Sequence, residues 1–125
     1  QAGEEYACRF IEEQGLEVLE RNWRDSNRGE LDILAREGNT AVVVEVRTRV
    51  GIGYGSALES IDTRKVLKLR RLAAQWARQR RLHSKLRIDI VALTVPRACG
   101  QELREGGSVD FLRYPPKIEW LRGIA

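Results

Sequence analysis

Sulfur-containing residues and histidine are scarce in this sequence. Its 125 residues include two cysteines, Cys8 and Cys99, one histidine and no methionine. The two cysteines stand too far apart for the spacing of a zinc site, and they do not form the pattern of a disulfide framework. We therefore expect a protein of a reducing compartment, with the cytoplasm as the default location.

Long apolar runs are also missing, and aromatic residues make up only 6% of the chain. No stretch approaches the roughly 20 apolar residues that a membrane-spanning helix needs, and no signal-peptide pattern opens the sequence. We therefore expect no membrane partner. The apolar content of 42% and the charged content of 32% are typical of a soluble globular protein, and the length predicts a single domain over residues 1–125.

Acidic residues are absent from one segment of the second half. Residues 64–81, RKVLKLRRLAAQWARQRR, contain eight Lys and Arg and no acid. Residues 1–49 hold 7 Lys and Arg against 11 Asp and Glu, whereas residues 50–125 hold 15 against 7. Such a basic segment favours a polyanion as partner, and a helix face that is merely solvated is the alternative.

Apolar periodicity predicts helices combined with a mixed sheet, which is an α/β or α+β arrangement. The helices are GEEYACRFIEEQG, ending at Gly15, and a segment from Asp62 or Thr63 to about Arg81. The strands are LEVLERNW, GELDILARE, AVVVEVRTR, LRIDIVALTV and SVDFLRY, followed by the amphipathic segment KIEWLRGI. A tight turn at Gly38 and Asn39 joins GELDILARE to AVVVEVRTR.

This hairpin carries acids inside strands that are otherwise apolar. A turn centred between Gly38 and Asn39 pairs residues whose numbers sum to 77, so that Asp32 faces Glu45 and Glu30 faces Arg47. All four side chains then share one face of the hairpin. The opposite face is apolar and consists of Leu31, Ile33, Val42, Val44 and Val46.

The two facing pairs differ in whether their charges can neutralise each other. Glu30 and Arg47 can form an ordinary ion pair. Asp32 and Glu45 repel each other unless one carries a proton or a cation lies between them. Magnesium or manganese fits such a place, because both ions prefer oxygen ligands and are often held by one or two carboxylates. The alternative is a metal-free network in which neighbouring arginines neutralise both acids.

Several short motifs occur together along the chain. They are GE (3–4), RNWR (21–24), GELDILA (29–35), VVVEVRTR (42–49), GSA (55–57), Lys65 and RIDIVAL (87–93). Between residues 3 and about 121 the chain resembles the YraN family, a bacterial family that is similar to archaeal Holliday-junction resolvases. The resemblance implies a restriction-endonuclease-like α/β fold, a mixed β-sheet flanked by helices, and the PD-(D/E)XK arrangement of metal-dependent nucleases.

The resemblance also implies roles for individual residues. Glu4 matches the glutamate of the first helix, Asp32 the metal-binding aspartate and Glu45 the acid of the E-x-K element. Arg47 stands where that element has lysine, and an arginine stays charged and cannot pass a proton. Lys65 is a candidate replacement, because helical spacing places it on the apolar arc of its helix. A lysine that snorkels to solvent from the helix end is the alternative.

We therefore expect a DNA-binding protein that acts as a magnesium- or manganese-dependent endonuclease. Asp32 and Glu45 are its expected metal ligands. The alternatives are a non-catalytic nucleic-acid-binding module of the same fold and a domain that binds an acidic protein. By analogy with junction resolvases, a homodimer with the glycine-rich residues 51–55 at its interface is a further expectation. The residues expected to contact nucleic-acid phosphates are Arg21, Arg24, Arg28, Arg49, Arg64, Lys68 and Arg71.

Overall fold

A computed structural model describes residues 2–26, 28–51, 61–96, 111 and 113–125. Cys99, the GSA motif and all but the first residue of the glycine-rich segment lie outside these ranges. No helix within the described ranges is long and apolar enough to span a membrane. The elements are α1 (Ala2–Glu13), β1 (Glu17–Asp25), β2 (Gly29–Glu37), β3 (Thr40–Val50), α2 (Thr63–Gln79), β4 (Lys85–Val95) and β5 (Lys117–Leu121).

The five strands form one mixed sheet in the order β1-β2-β3-β4-β5. Neighbouring strands are antiparallel except β3 and β4, which run parallel. Two parallel strands need a crossover connection, and α2 lies in the chain between them. The structure therefore confirms the predicted α/β class and agrees with a restriction-endonuclease-like sheet flanked by helices.

Both faces of the sheet are covered by apolar side chains. On one face Leu34 and Val43 pack with Leu69 and Trp76 of α2. On the other face Val44 and Val91 pack with residues of α1 such as Ile11. Strands buried on both faces read as nearly continuous apolar runs, which explains AVVV in β3 and IVAL in β4.

The β2–β3 hairpin has the predicted register. Leu34 pairs with Val43 and Glu37 pairs with Thr40, so the residue numbers of each pair sum to 77. Gly38 has a φ of 59°, a left-handed conformation that glycine adopts at little cost in a tight turn. The glycine of the turn and the alternation of apolar residues therefore both favour the observed register of β2 and β3.

An irregularity at Asn22 in β1 changes the side of the sheet on which the side chains of the neighbouring strand β2 lie. Asn22 has a φ of 53° and lies between the pairs Arg21–Ile33 and Trp23–Leu31 of the β1–β2 ladder. Ile33 packs on the α1 side, whereas Leu31 packs with Trp23 on the α2 side. The prediction that Leu31 shares a face with Ile33 is therefore wrong, because the strand does not alternate regularly across this point.

The C-terminal part of the chain also departs from the sequence prediction. The strand candidate SVDFLRY lies largely outside the described residues, and its described members, Phe111, Arg113 and Tyr114, are not in a strand. The last strand is instead KIEWL, which pairs with β4 through contacts such as Val91–Trp120. A five-residue edge strand is too short to show a clear period of two.

Asp89 of β4 ties this C-terminal strand to the sheet. Its side chain is fully buried, and both of its oxygens accept from the guanidinium of Arg87, at 2.9 and 3.0 Å. The indole of Trp120 donates to it at 3.0 Å, and the backbone N–H of Gly123 at 2.8 Å. Four donors from three segments therefore compensate the cost of burying this charge.

Asp89→Ala is expected to lower the free energy of unfolding by about 3 kcal/mol, because it leaves buried donors without their acceptor. Denaturant unfolding followed by circular dichroism measures the change. The control is Glu17→Ala, whose ion pair with Arg36 lies on the exposed surface and is expected to contribute less than about 0.5 kcal/mol. Equal losses in both variants would contradict a structural role for Asp89.

Candidate active site

Three of the carboxylates predicted for the site come from three different elements. They belong to Glu4 of α1, Asp32 of β2 and Glu45 of β3. The charge of Asp32 raises the pKa of both Glu4 and Glu45, which places each of these glutamates within electrostatic reach of Asp32. Glu4 is buried, with 7% of its surface exposed, whereas its neighbour Glu5 is exposed.

Asp32 lies where β2 and β3 separate. Their backbone pairing runs from the turn as far as Ile33–Val44. At the next position the carboxylate of Asp32 accepts a hydrogen bond from the backbone N–H of Val46, at 2.9 Å. A side-chain oxygen thus satisfies an amide that a regular ladder would pair with a carbonyl. Beyond the last backbone pair, Asp32 and Glu45 lie close enough for the charge of Asp32 to raise the pKa of Glu45.

Lys65 reaches this pair from the first turn of α2. Its Nζ lies 3.4 Å from Oε1 of Glu45, and the Lys65 side chain is 39% exposed while that of Glu45 is 12% exposed. Asp62 caps the helix by accepting from the backbone N–H of Arg64 at 2.8 Å, so of the two predicted caps the structure uses Asp62. The inward direction predicted for Lys65 from helical spacing is therefore confirmed.

The pKa values of the acids show that their charged forms are unfavourable in this arrangement. Burial raises the pKa of Glu45, and the charge of Asp32 raises it further, whereas Lys65 lowers it. Burial also raises the pKa of Asp32, against the effect of the Val46 hydrogen bond. For Glu4, burial is again the largest cause of a raised pKa. Burial is the largest cause of the raised pKa at all three acids, so a bound proton or metal cation relieves the cost of burying their charge.

A cavity of about 500 Å³ opens beside the acidic pair. Sequence reasoning missed two of its residues. Thr48 carried no signal, and Asp62 was predicted only as a helix cap. The cavity is lined by Glu45, Arg47, Thr48, Arg49, Asp62 and Lys65. With three cations at its wall, it suits an anionic group placed next to Glu45.

Gly3 controls how closely α1 approaches the sheet. A Cβ atom at this position would lie 2.7 Å from Oγ1 of Thr48 on β3, a distance that real Cβ atoms essentially never show. The missing side chain therefore lets the first turn of α1 rest on β3, with Glu4 within electrostatic reach of Asp32. This contact gives a physical reason for the glycine of the GE motif.

The structure separates the residues that were predicted to contact phosphates. Arg21 pairs with Glu5 at 2.6 Å and Arg24 pairs with Glu30 at 3.0 Å, so Glu30 has a partner on β1. Arg49 lines the cavity beside the acids. The remaining four lie along the β1–β2 turn and α2 and line two other depressions. They are Arg28, Lys68 and Arg71 in one, and Arg64 with Arg71 in the other.

The donor set suits a hard divalent ion held by two carboxylates. Among the described residues no group of three or more His, Cys, Asp and Glu is arranged to hold a metal ion. Asp32 and Glu45 nevertheless offer facing carboxylate oxygens with unfavourable charge between them. Magnesium and manganese are commonly held in this way, with water and substrate phosphate completing the coordination. The residues present therefore fit such an ion.

Comparison with known sequences identifies one family. The family described as "Uncharacterised protein family UPF0102" matches residues 3–93, a range that includes all four residues Glu4, Asp32, Glu45 and Lys65. A UPF0102 protein of Paenarthrobacter aurescens is 38% identical over 124 residues, which cover 98% of this chain and 89% of that protein. One of Beutenbergia cavernae is 47% identical over 97 residues, covering 77% and 81%. The chain therefore belongs to the UPF0102 family, which confirms the YraN resemblance drawn from its motifs.

Proposed function

We propose that this protein is a cytoplasmic, metal-dependent endonuclease that hydrolyses phosphodiester bonds of DNA. The observation that supports the proposal best is the meeting of Asp32, Glu45 and Lys65, with Lys65 Nζ 3.4 Å from Glu45. Two acids raised in pKa beside a lysine and an open cavity are typical of a catalytic site, and they are costly to the fold without a ligand.

In this proposal Asp32 and Glu45 hold the metal ion. A bound magnesium or manganese ion polarises a phosphoryl oxygen and lowers the pKa of a bound water. The chain's own contribution is to fix both carboxylates, Asp32 through Val46 N–H and Glu45 through Lys65. Burial and the charge of Asp32 raise the pKa of Glu4, so the charged form of this acid is disfavoured near the pair.

The cations of the cavity act on the substrate. Lys65, Arg47 and Arg49 surround the space beside Glu45, where they neutralise the charge of a bound phosphate. Contacts to the sugar–phosphate backbone carry little sequence information and weaken as salt rises. We therefore propose a substrate recognised by its backbone and its shape, with branched DNA as one candidate.

One observation favours a second candidate function. Arg47 occupies the position where nucleases of this type carry lysine, and arginine holds a phosphate without passing a proton. A protein with this site and no catalytic activity would be a nucleic-acid-binding module of the same fold. The two candidates agree on binding and differ in whether a bond is broken. A homodimer remains a prediction from the resemblance to resolvases.

The proposal is tested with labelled duplex, single-stranded and four-way-junction DNA in the presence of manganese. We expect cleavage of at least one substrate with manganese and none with EDTA, while a mock preparation without the protein gives no product. Binding to the same DNAs is measured at 50 and 200 mM salt, and the affinity is expected to fall by at least about tenfold. Binding without cleavage of any of the three would favour the module.

A further inference from the structure

A second cavity, of about 420 Å³, lies between the β1–β2 turn and α2. Its volume falls in the range of small-ligand pockets. Three of its side chains are cations and one, Asp25, is an acid, which gives a net charge of 3 − 1 = +2. The cavity is lined by Asp25, Arg28, Lys68, Arg71, Leu72 and Gln75.

The three cations of this cavity form no ion pair with the part of the chain that the structure describes. Across the described ranges, neither Arg28 nor Lys68 nor Arg71 lies within 4.0 Å of a carboxylate oxygen. Other basic residues, such as Arg21 and Arg80, are paired. Cations that converge on a concavity without an internal partner remain available for an anionic ligand.

Gly29 makes room for two of the side chains that line the cavity, Lys68 and Leu72. Its φ is 146°, and a Cβ atom there would lie 2.9 Å from Cε of Lys68 and 3.0 Å from Cδ1 of Leu72. The bare backbone therefore leaves room for the lysine stem to lie against the β1–β2 turn. Lys68 is exposed, and the end of its side chain lies next to the backbone of Gly29.

The cavity continues the line of α2 away from the acidic pair. Lys65, Lys68 and Arg71 follow at intervals of three residues, so that Lys68 and Arg71 lie roughly 4.5 and 9 Å further along the helix axis than Lys65. A nucleic-acid strand whose one phosphate lies at Lys65 therefore brings a neighbouring phosphate towards this cavity.

We propose that this cavity binds a backbone phosphate of the nucleic-acid strand, next to the phosphate that lies beside Glu45 and Lys65. The proposal rests on nucleic-acid binding by the protein and adds a second phosphate site with a defined direction along α2. It implies that the protein needs nucleotides on one particular side of the phosphate at the acidic pair. Free nucleotides and inorganic phosphate carry the same group, so the experiment separates these sources from a strand.

The test compares the double variant Lys68→Ala/Arg71→Ala with two single variants and a matched control, Arg70→Ala. Arg70 is an exposed cation of the same helix, but helical spacing puts it on the opposite flank of α2 from Lys68. Fluorescence anisotropy measures binding of a labelled oligonucleotide without divalent metal, so that cleavage does not enter. Inorganic phosphate and a deoxynucleoside monophosphate serve as competitors, and thermal unfolding checks that each variant is folded.

We expect the double variant to bind the oligonucleotide at least about tenfold more weakly, and Arg70→Ala to change affinity less than about threefold. The magnitude of the slope of log K against log salt should fall by about 0.7–0.9 for the lost phosphate contact. Equal losses in the double variant and in Arg70→Ala would overturn the site. So would a monophosphate that competes as strongly as the strand. Failure of the proposed nuclease function is a separate result, because it appears as absent cleavage with this binding pattern intact.

Discussion

The Asp32→Asn variant is expected to lose manganese-dependent DNA cleavage by a factor of at least about a thousand, which corresponds to about 4 kcal/mol of transition-state stabilisation. Asparagine has nearly the shape of aspartate, and its carbonyl oxygen can still accept the hydrogen bond from Val46 N–H. What the substitution removes is the negative charge that would hold the metal ion opposite Glu45. The loss is therefore expected in activity and not in folding.

The same variant is expected to be more stable than the natural chain at pH 8. Burial raises the pKa of Asp32 above its value in the unfolded chain, so its charged form opposes folding. This cost is absent below the ordinary pKa of an aspartate and appears as the pH rises through the higher folded-state pKa. A neutral amide avoids it and also relieves Glu45. We expect a gain on the order of 1 kcal/mol, or about 3–5 °C in Tm, that disappears near pH 4.

Cleavage rates under single-turnover conditions and thermal unfolding at pH 4 and pH 8 measure the two effects. The matched control is Glu17→Gln, which removes an exposed carboxylate of β1 far from the acidic pair in the sheet and is expected to change neither rate nor Tm appreciably. Cleavage retained by Asp32→Asn would show that the metal site lies elsewhere. A lower Tm at pH 8 would mean that the pair stabilises the fold instead of opposing it.

The facing of Asp32 and Glu45 was predictable because it depends on local rules. Gly38 and Asn39 set the turn, and the alternation of apolar residues admits only one register in which both faces are buried. The side on which Leu31 lies was not predictable, because the left-handed backbone of Asn22 interrupts β1 without a pattern that announces it. Local reasoning fails where one residue breaks a period.

Contacts between segments that are distant in the sequence were harder to predict. The direction of Lys65 followed from helical spacing, but its distance to Glu45 depends on how α2 crosses the sheet. Asp89 belongs to an apolar strand motif, and its partners at Trp120 and Gly123 stand more than 30 residues later in the chain. Their positions depend on β5, whose pairing with β4 is set by the folded sheet and not by a local signal.

Lys65→Ala is expected to lower the cleavage rate by roughly a hundredfold, because it removes the cation next to Glu45 from the cavity that would hold the phosphate. Glu45 then keeps the repulsion of Asp32 without its nearest counter-charge. Lys65→Arg keeps the positive charge and therefore distinguishes a role of the lysine as a charge from a role in proton transfer. If charge alone matters, Lys65→Arg cleaves within about threefold of the natural chain. If Lys65 passes a proton, its rate falls nearly as far as that of Lys65→Ala, since arginine stays charged.

The arginine at position 47 allows the sharper test. In the Lys65→Ala background, Arg47→Lys places a lysine two residues after Glu45, where the nuclease pattern has one. Arg47 and Lys65 line the same cavity, so the new amine can reach the same bound phosphate. If Lys65 performs the work of that missing lysine, the double variant is expected to recover at least about tenfold of the lost rate. An Arg47→Lys variant with Lys65 intact is the control. Its rate should change little, because Lys65 is still present to pass the proton. A faster rate in the control without recovery in the double variant would contradict this assignment, because the lysine at position 47 would then act only when Lys65 is present.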